Sequence, residues 1–197
     1  MAKTDCDSAY LTEATDGLNR MGAIINNTLE LAKQGQTVVS SEPVDFRRLV
    51  TDCWHMTTTD EDGLTIHGEA TICGDPDRLR RLFENLFRNC IDHAGADVAV
   101  TTGLVGDDGL YVEDDGPGIP VACRDVLFDP GYSTSDSGAG FGLAIVSEIV
   151  DAHGWTIHVT DTDHGGARFE LTGIELRTES AEDDTTGISP QINYHEA

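Results

Sequence analysis

Three groups of residues in this sequence have types and spacings that could do chemistry. Asn85 and Asn89, in ENLFRNCIDH, stand four residues apart. On a helix they share one face, so their amides could offer oxygen to a hard cation and NH₂ to phosphate. Asparagine is a mediocre helix former, and two inside one helix ask for a reason, although exposed asparagines are common on surfaces. The second group is DDGPGIP, residues 114–120. An ionised Asp114 only accepts hydrogen bonds, and it could take one from an exocyclic amine such as that of adenine. Gly116 and Gly118 carry no Cβ, which lets the chain before Ile119 turn freely and lets a flat ring come close. Taken alone, this run reads first as a tight turn after a strand. The third group is GAGFGLAIV, residues 138–146. Gly138, Gly140 and Gly142, with Phe141 and Leu143 among them, open onto a helix. Bare N–H groups at a positive helix end suit an anion such as triphosphate.

These residues need elements to hold them. Asp75-Pro76 is a cap followed by a proline, and the spacing predicts a helix over 76–93 with Leu79, Leu82, Phe83, Leu86, Phe87, Cys90 and Ile91 on one face. The two asparagines lie at the flank of that stripe. Asp45 looks like the cap of a helix to about residue 56. Short strands are predicted near 64–67, 69–73, 97–104 and 110–114. A glycine- and serine-rich stretch over 116–140 leads into a helix carrying Leu143, Val146, Ile149 and Val150. Strands at 155–160 and 167–172 meet across a turn at Gly165-Gly166. The close succession of strands predicts an α/β sandwich, a mixed or antiparallel sheet with helices on one face.

Residues 9–33 read as one long helix with an apolar seam through Leu11, Ala14, Leu18, Met21 and Ile25. A sustained seam of this kind wants a partner helix, and a self-dimer through 9–33 is expected, the alternative being a helix that packs on the following domain. The domain expectation is therefore a helix and linker over 1–40, a main domain over 44–173, and an acidic, disordered tail over 174–197.

Composition narrows the classes. The 197 residues carry a formal net charge of −24, with acids spread along the chain. That excludes a nucleic-acid partner, because phosphates would be repelled over most of the surface. A dispersed acid excess resembles the surfaces of proteins from salt-loving archaea. The five cysteines form no CxxC pair, so incidental thiols in a reducing compartment are expected rather than a disulfide frame or zinc site. No run approaches the ~18 apolar residues of a membrane span, and MAKTDCDSAY lacks a signal peptide's basic start and apolar run. A cytoplasmic protein is the expectation.

Each chemical group is weak alone; their order and spacing are not. An asparagine-bearing helix, an Asp-Gly-x-Gly turn and a glycine-rich helix start resemble the N, G1 and G2 boxes of histidine kinases, and Phe128 in LFDPGYSTS stands where that family has its F box. The resemblance covers residues 44–173, and 9–33 resembles the second dimerisation helix. It implies the Bergerat fold shared with Hsp90, mismatch-repair ATPases and type II topoisomerases, with ATP and Mg²⁺ as ligands. Asp114 would read the adenine amine, Asn89 would bind Mg²⁺ with Asn85 beside it, and residues 119–139 would form a mobile ATP lid closing through the G2 glycines. His93 matches a position where a ring covers adenine, and a helix-end histidine without a ligand remains the other reading.

The chain also departs from that pattern. None of its seven histidines precedes residue 55, so the dimerisation-type helix carries no phosphoacceptor. Asp92 stands where relatives often have a phosphate-touching lysine, and Arg124 is the one base in the lid. Two readings follow. The chain is a histidine kinase catalytic part that phosphorylates a histidine in another chain or a missing upstream region, with a response regulator downstream. Alternatively it is a non-catalytic nucleotide-binding regulator pairing with full kinases. In the first reading no side chain need act as catalytic base, since imidazole is itself the nucleophile. A Bergerat ATPase or serine kinase acting on a protein partner is a third reading, which the dimerisation-type helix opposes. The absence of GxxxxGK[ST] excludes a P-loop, and the absence of an HRD-like loop excludes a Ser/Thr protein kinase.

Overall fold

Two aspartates start the first two helices. In a computed structural model, which describes residues 41–58, 63–95, 97–133 and 140–177, Asp45 accepts a hydrogen bond from the Arg48 amide at 2.7 Å and opens α1, Phe46–Thr57. Asp75 accepts from the Asp77 and Arg78 amides at 3.0 and 3.2 Å and opens α2, Pro76–Ala94. Each cap satisfies donors that a helix start leaves over. α3, Gly142–His153, ends at Gly154, whose φ of 74° is the left-handed turn that glycine takes without strain. The expected helix over 9–33, the linker before residue 41, Gly138 and the tail beyond 177 lie outside the described residues.

Five strands form the main sheet: β2 (Leu64–His67), β4 (Val100–Val105), β5 (Gly109–Asp114), β7 (Ala167–Thr172) and β6 (Thr156–Asp161), in that spatial order. The β2–β4 pair is parallel and the others antiparallel. Three further strands, β1 (Glu42–Asp45), β3 (Thr71–Gly74) and β8 (Leu176–Arg177), make a small antiparallel sheet with β3 central.

Register puts Val100, Leu110, Val112, Asp114, Ala167, Phe169 and Leu171 on one face of the main sheet, all buried. The helices supply the other half of this core. Phe46, Phe83, Phe87 and Trp54 form a chain of rings, with Trp54 edge-on to Phe87 at 5.3 Å. Thr102 is wholly buried on β4, and its hydroxyl donates to the Tyr111 carbonyl at 2.6 Å. The α/β sandwich with a mixed sheet and helices on one face is thus the observed architecture.

β2 and β3, neighbours in sequence, belong to different sheets. β1 begins at Glu42, just ahead of the expected main domain. The stretch read as tail from 174 begins inside the fold, with Ile174 buried and β8 paired to β3. All three involve pairing partners remote in sequence, which local alternation does not encode.

His153 joins two of the helices. Its Nδ1–H donates to the Ile149 carbonyl at 2.7 Å, its Nε2 accepts from the Asp75 amide at 3.1 Å, and its ring lies 4.4 Å from that of Trp155. Burial pushes the imidazole below its ordinary value; the Ile149 carbonyl opposes that, Arg78 adds to it and Asp75 opposes it. The folded protein therefore takes up this proton less readily than the unfolded chain. The stabilisation is complete above the ordinary value of 6.5 and is lost as pH falls through the lower folded value. Denaturant midpoints should fall between about pH 7 and about pH 5 more steeply for the wild type than for His153→Gln. Parallel slopes would exclude His153 from the acid response.

Candidate functional site

The main sheet and α2 diverge at the end of β5, and a cleft of ≈ 290 Å³ opens there. Its lining comes from α2 (Asn89, His93), the end of β5 (Asp114), the following segment (Pro117, Gly118, Ile119, Pro120, Cys123, Leu127, Tyr132) and the start of β7 (Ala167). The volume lies at the low end of small-molecule sites, and most of the wall is apolar.

Asp114 is the polar centre. It is only 7% exposed. Its Oδ1 accepts two backbone N–H groups, from Gly116 at 2.9 Å and from Ala167 at 3.2 Å. With Oδ1 so engaged, Oδ2 is the oxygen left for a ligand. The next residue, Asp115, faces outward and accepts from the Ala99 amide at 2.9 Å. Of the two adjacent carboxylates, only Asp114 belongs to the cleft.

The glycines here answer to close backbone approach. A Cβ on Gly116 would collide with the Ala94 side chain, and one on Gly118, whose φ is 72°, would collide with the Gly165 carbonyl. A Cβ on Gly166 would run into the Asp114 carbonyl. The turn at 165–166 is thus the wall against which the Asp-Gly loop is built.

Asn85 lies one turn before Asn89. Its Nδ2 donates to the Arg81 carbonyl at 2.7 Å, and its Oδ1 faces Gly142, where a Cβ would come within 3.3 Å. The start of α3 is therefore seated over Asn85. Phe141, the residue before α3, makes no side-chain cap, and among the described residues no side chain bonds the first amides of α3, the kind of group that suits an anion. Leu143 is buried behind them, and Phe141 is half-buried. Gly140, at φ 70°, packs on Gly131 and accepts the Gly131 amide at 2.9 Å, which pinches the base of the segment between them.

The sequence-derived residues thus fall into groups. Asn89, His93, Asp114, Gly118 and Ile119 line the cleft. Gly116 supports the loop from behind. Asn85, Gly140, Phe141, Gly142 and Leu143 gather where α3 begins. Phe128 is half-buried and packs against the core instead of forming part of the cleft wall. Gly138 lies outside the described residues.

Sequence reasoning missed Gly166, Ala167, Cys123, Leu127 and Tyr132. A Gly-Gly doublet directly before a strand was the available signal for the first two, and it was read as a plain turn. Cys123 and Tyr132 meet in the cleft, where a hydrogen bond to Cys123 raises the Tyr132 hydroxyl above its ordinary value. Burial pushes the Cys90 thiol well above its ordinary range, and the nearby Asp114 carboxylate pushes it further.

No lysine or arginine lines the cleft among the described residues. Arg124 is tied elsewhere: Nε and Nη2 both donate to the Ile119 carbonyl, at 3.1 and 2.9 Å, and Nη2 also bonds the Asp161 carboxylate. It fastens the segment after β5 to the end of β6. Among the described residues no cluster of three His, Cys, Asp or Glu could hold a metal, and no helix is long and apolar enough to cross a membrane.

The cleft thus joins an acceptor carboxylate to a mostly apolar wall, and the glycine-flanked start of α3 lies against Asn85, one turn before the cleft residue Asn89. The chain belongs to the histidine kinase-, DNA gyrase B- and HSP90-like ATPase family, whose pattern matches residues 74–178. It is 32% identical over 171 residues to sensor histidine kinase ZraS of Escherichia coli strain K12, spanning 82% of this chain and 36% of ZraS. The chain thus covers little more than a third of the length of that relative. Its structure resembles the ATP binding domain of PrrB from Mycobacterium tuberculosis, at a TM-score of 0.53 and 26% identity over 68% of this chain and 96% of that one. It also resembles full-length ShkA in complex with AMPPNP, at a TM-score of 0.64 and 25% identity over 90% of this chain and 40% of that one.

The contact between Gly166 and Asp114 sets a steric test. Gly166→Ala should destabilise the fold by about 1–3 kcal/mol in urea denaturation, as overpacking against backbone does. A stability equal to the wild type would show that the hairpin can retreat from the cleft.

Proposed function

We propose that the chain binds ATP with Mg²⁺ in this cleft and transfers the γ-phosphate to a histidine carried by another chain or an upstream region. The observation that carries the reading is the buried Asp114 carboxylate, aimed into an apolar cleft beside the uncapped start of α3. Kinship to sensor histidine kinase ZraS, and likeness to ShkA solved in complex with AMPPNP, support it.

The residues divide the work by chemistry. Asp114 accepts from the adenine 6-amino group, while Ile119, Leu127 and Ala167 supply apolar surface for the base, and His93 at the rim adds a ring. Gly118 admits the flat base. The amides at the start of α3, behind Gly140 and Gly142, receive the phosphates. Asn89, a hard amide donor lining the cleft, would hold Mg²⁺, with Asn85 beside it; the ion supplies neutralisation of charge on the phosphates. In the transfer, an imidazole nitrogen attacks the γ-phosphorus as its bond to the β–γ bridging oxygen breaks. ADP leaves, and the imidazole proton passes to solvent. Positioning and electrostatics carry most of such a step, so no side chain here acts as a base.

In this reading the acceptor lies in another chain or an upstream region. His55 is exposed at the end of α1, His67 and His158 lie on strands, and His153 spends both ring nitrogens inside the fold. Dimerisation through 9–33 would bring the cleft to a histidine-bearing domain, and a response regulator would receive the phosphate next. The acid-rich surface suits a cytoplasm of high salt. A second reading, a nucleotide-binding regulator of full-length kinases, is favoured by one observation: among the described residues no lysine or arginine lines the cleft, and Asp92 stands exposed beside the cleft residue His93.

Asp114→Asn tests the base site. The two backbone N–H groups will keep the amide oxygen where Oδ1 lies, so NH₂ replaces Oδ2 and faces the adenine amine. ATP affinity should drop by about tenfold or more in calorimetry, the worth of a hydrogen bond to a charged group; an unchanged affinity would reassign the pocket. Transfer is tested with γ-labelled ATP, Mg²⁺ and a separate histidine-bearing dimerisation domain in high-salt buffer. Acid-labile label on the added domain is the expected result, and ATP binding without label would favour the regulator.

A further inference from the structure

We propose that Arg124 is a positioning residue for the base site: by clamping the Ile119 carbonyl to the end of β6, it holds the Ile119 side chain in the cleft wall. The inference rests on the adenine reading of the cleft given above. Ile119 lines the cleft, directly after the Asp-Gly loop. Arg124 stands five positions on, in the short 3₁₀ helix Val121–Val126. Its Nε and Nη2 both donate to the Ile119 carbonyl, at 3.1 and 2.9 Å, and Nη2 also bonds Asp161, the last residue of β6.

The segment around Ile119 has few other means of holding its place. No residue of the 3₁₀ helix is buried, and Val121 is 72% exposed. The helix therefore lacks the apolar burial that usually anchors a short element. Its backbone bonds are local: the Cys123 amide donates to the Pro120 carbonyl at 2.9 Å and the Leu127 amide to the Arg124 carbonyl at 3.5 Å. Such bonds shape the segment without fixing its distance from the sheet. Pro120 has no amide to offer. On the other side of Ile119, Gly118 has a φ of 72°, and a glycine resists rotation least of all residues. A pivot there would carry Ile119 out of the wall. The guanidinium opposes that pivot. Its planar fork grips one carbonyl with two N–H groups, and the carboxylate behind it belongs to an edge strand of the main sheet. Because Asp161 is more than half exposed, the charge pair itself contributes little; what it adds is direction.

The test is a double-mutant cycle on the full chain, read by calorimetry with ATP and with ADP in Mg²⁺. Arg124→Met, which keeps an unbranched stem and removes every donor, should weaken ATP and ADP alike by about fivefold, the scale of one hydrogen bond. In an Ile119→Ala background the same substitution should weaken either nucleotide by less than about twofold, because the side chain through which Arg124 acts is gone. A full loss persisting in that background would mark a merely structural role and overturn the proposal, as would unchanged affinities in Arg124→Met. A loss confined to ATP would overturn it too, since Arg124 would then be a partner of the γ-phosphate. Should Arg124→Met not fold, Asp161→Asn, which leaves Arg124 in place and weakens its anchor, enters the cycle with the same expectations. An Ile119→Ala protein that binds both nucleotides as the wild type does is a separate failure, that of the adenine reading itself.

Discussion

A carboxylate held out of water is the constraint from which much of the architecture follows. An ionised group in a mostly apolar wall is expensive unless donors surround it. Here the donors are backbone amides from two segments far apart in sequence, Gly116 and Ala167. For both to reach one oxygen, the end of β5, the loop after it and the β6–β7 hairpin must touch main chain to main chain. Side chains at 116 or 166 would hold them apart. Those glycines are thus consequences of the Asp114 position, and a single carboxylate ties the loop, the hairpin and α2 into one wall.

α2 has two tasks, and its amphipathic pattern separates them. Leu79, Leu82, Phe83, Leu86, Phe87 and Cys90 are buried against α1, α3 and the sheet. Asn85 and Asn89 sit at the flank of that stripe, half-exposed, where the helix turns from core to cleft. The apolar face fixes the rotation of the helix, and the rotation aims the asparagines. Seating α3 on Asn85 through Gly142 then brings an uncapped helix start beside the same cleft. Packing and site are in this sense one arrangement, and a change in the core of α2 would be felt at Asn89.

Legibility in the sequence followed the range of the interactions. Helices α1 and α2 were readable because caps and stripes are local: Asp45, Asp75-Pro76 and the 3–4 spacing of leucines and phenylalanines leave little choice. Asp114, Gly118, Ile119, Asn89 and His93 were readable as a set because three short patterns fell in one order. The small sheet of β1, β3 and β8 was not, since it joins residues 42–45, 71–74 and 176–177, and strand pairing at that distance writes no period into the chain. Gly166 and Ala167 were missed for a related reason. A Gly-Gly doublet signals a turn, but only the fold says what the turn leans on.

The charge distribution poses a problem that the cleft answers without cations. A chain of formal charge −24 must accept a polyanion in the proposed function. Arg124, the base nearest the loop, is committed to the Ile119 carbonyl and Asp161. The attraction that remains comes from the amides at the start of α3, whose partial charge acts within about a turn. The repulsion comes from carboxylates scattered over the whole surface and acts over longer range. Salt separates the two by distance: a screening length of ~10 Å at 0.1 M shrinks to ~3 Å at 1 M, which removes the remote repulsion and spares contacts at hydrogen-bonding distance. For the proposed function, an acidic surface beside helix-start amides is thus disadvantageous in dilute buffer and less so in concentrated salt, which screens the remote repulsion and spares the short-range contacts.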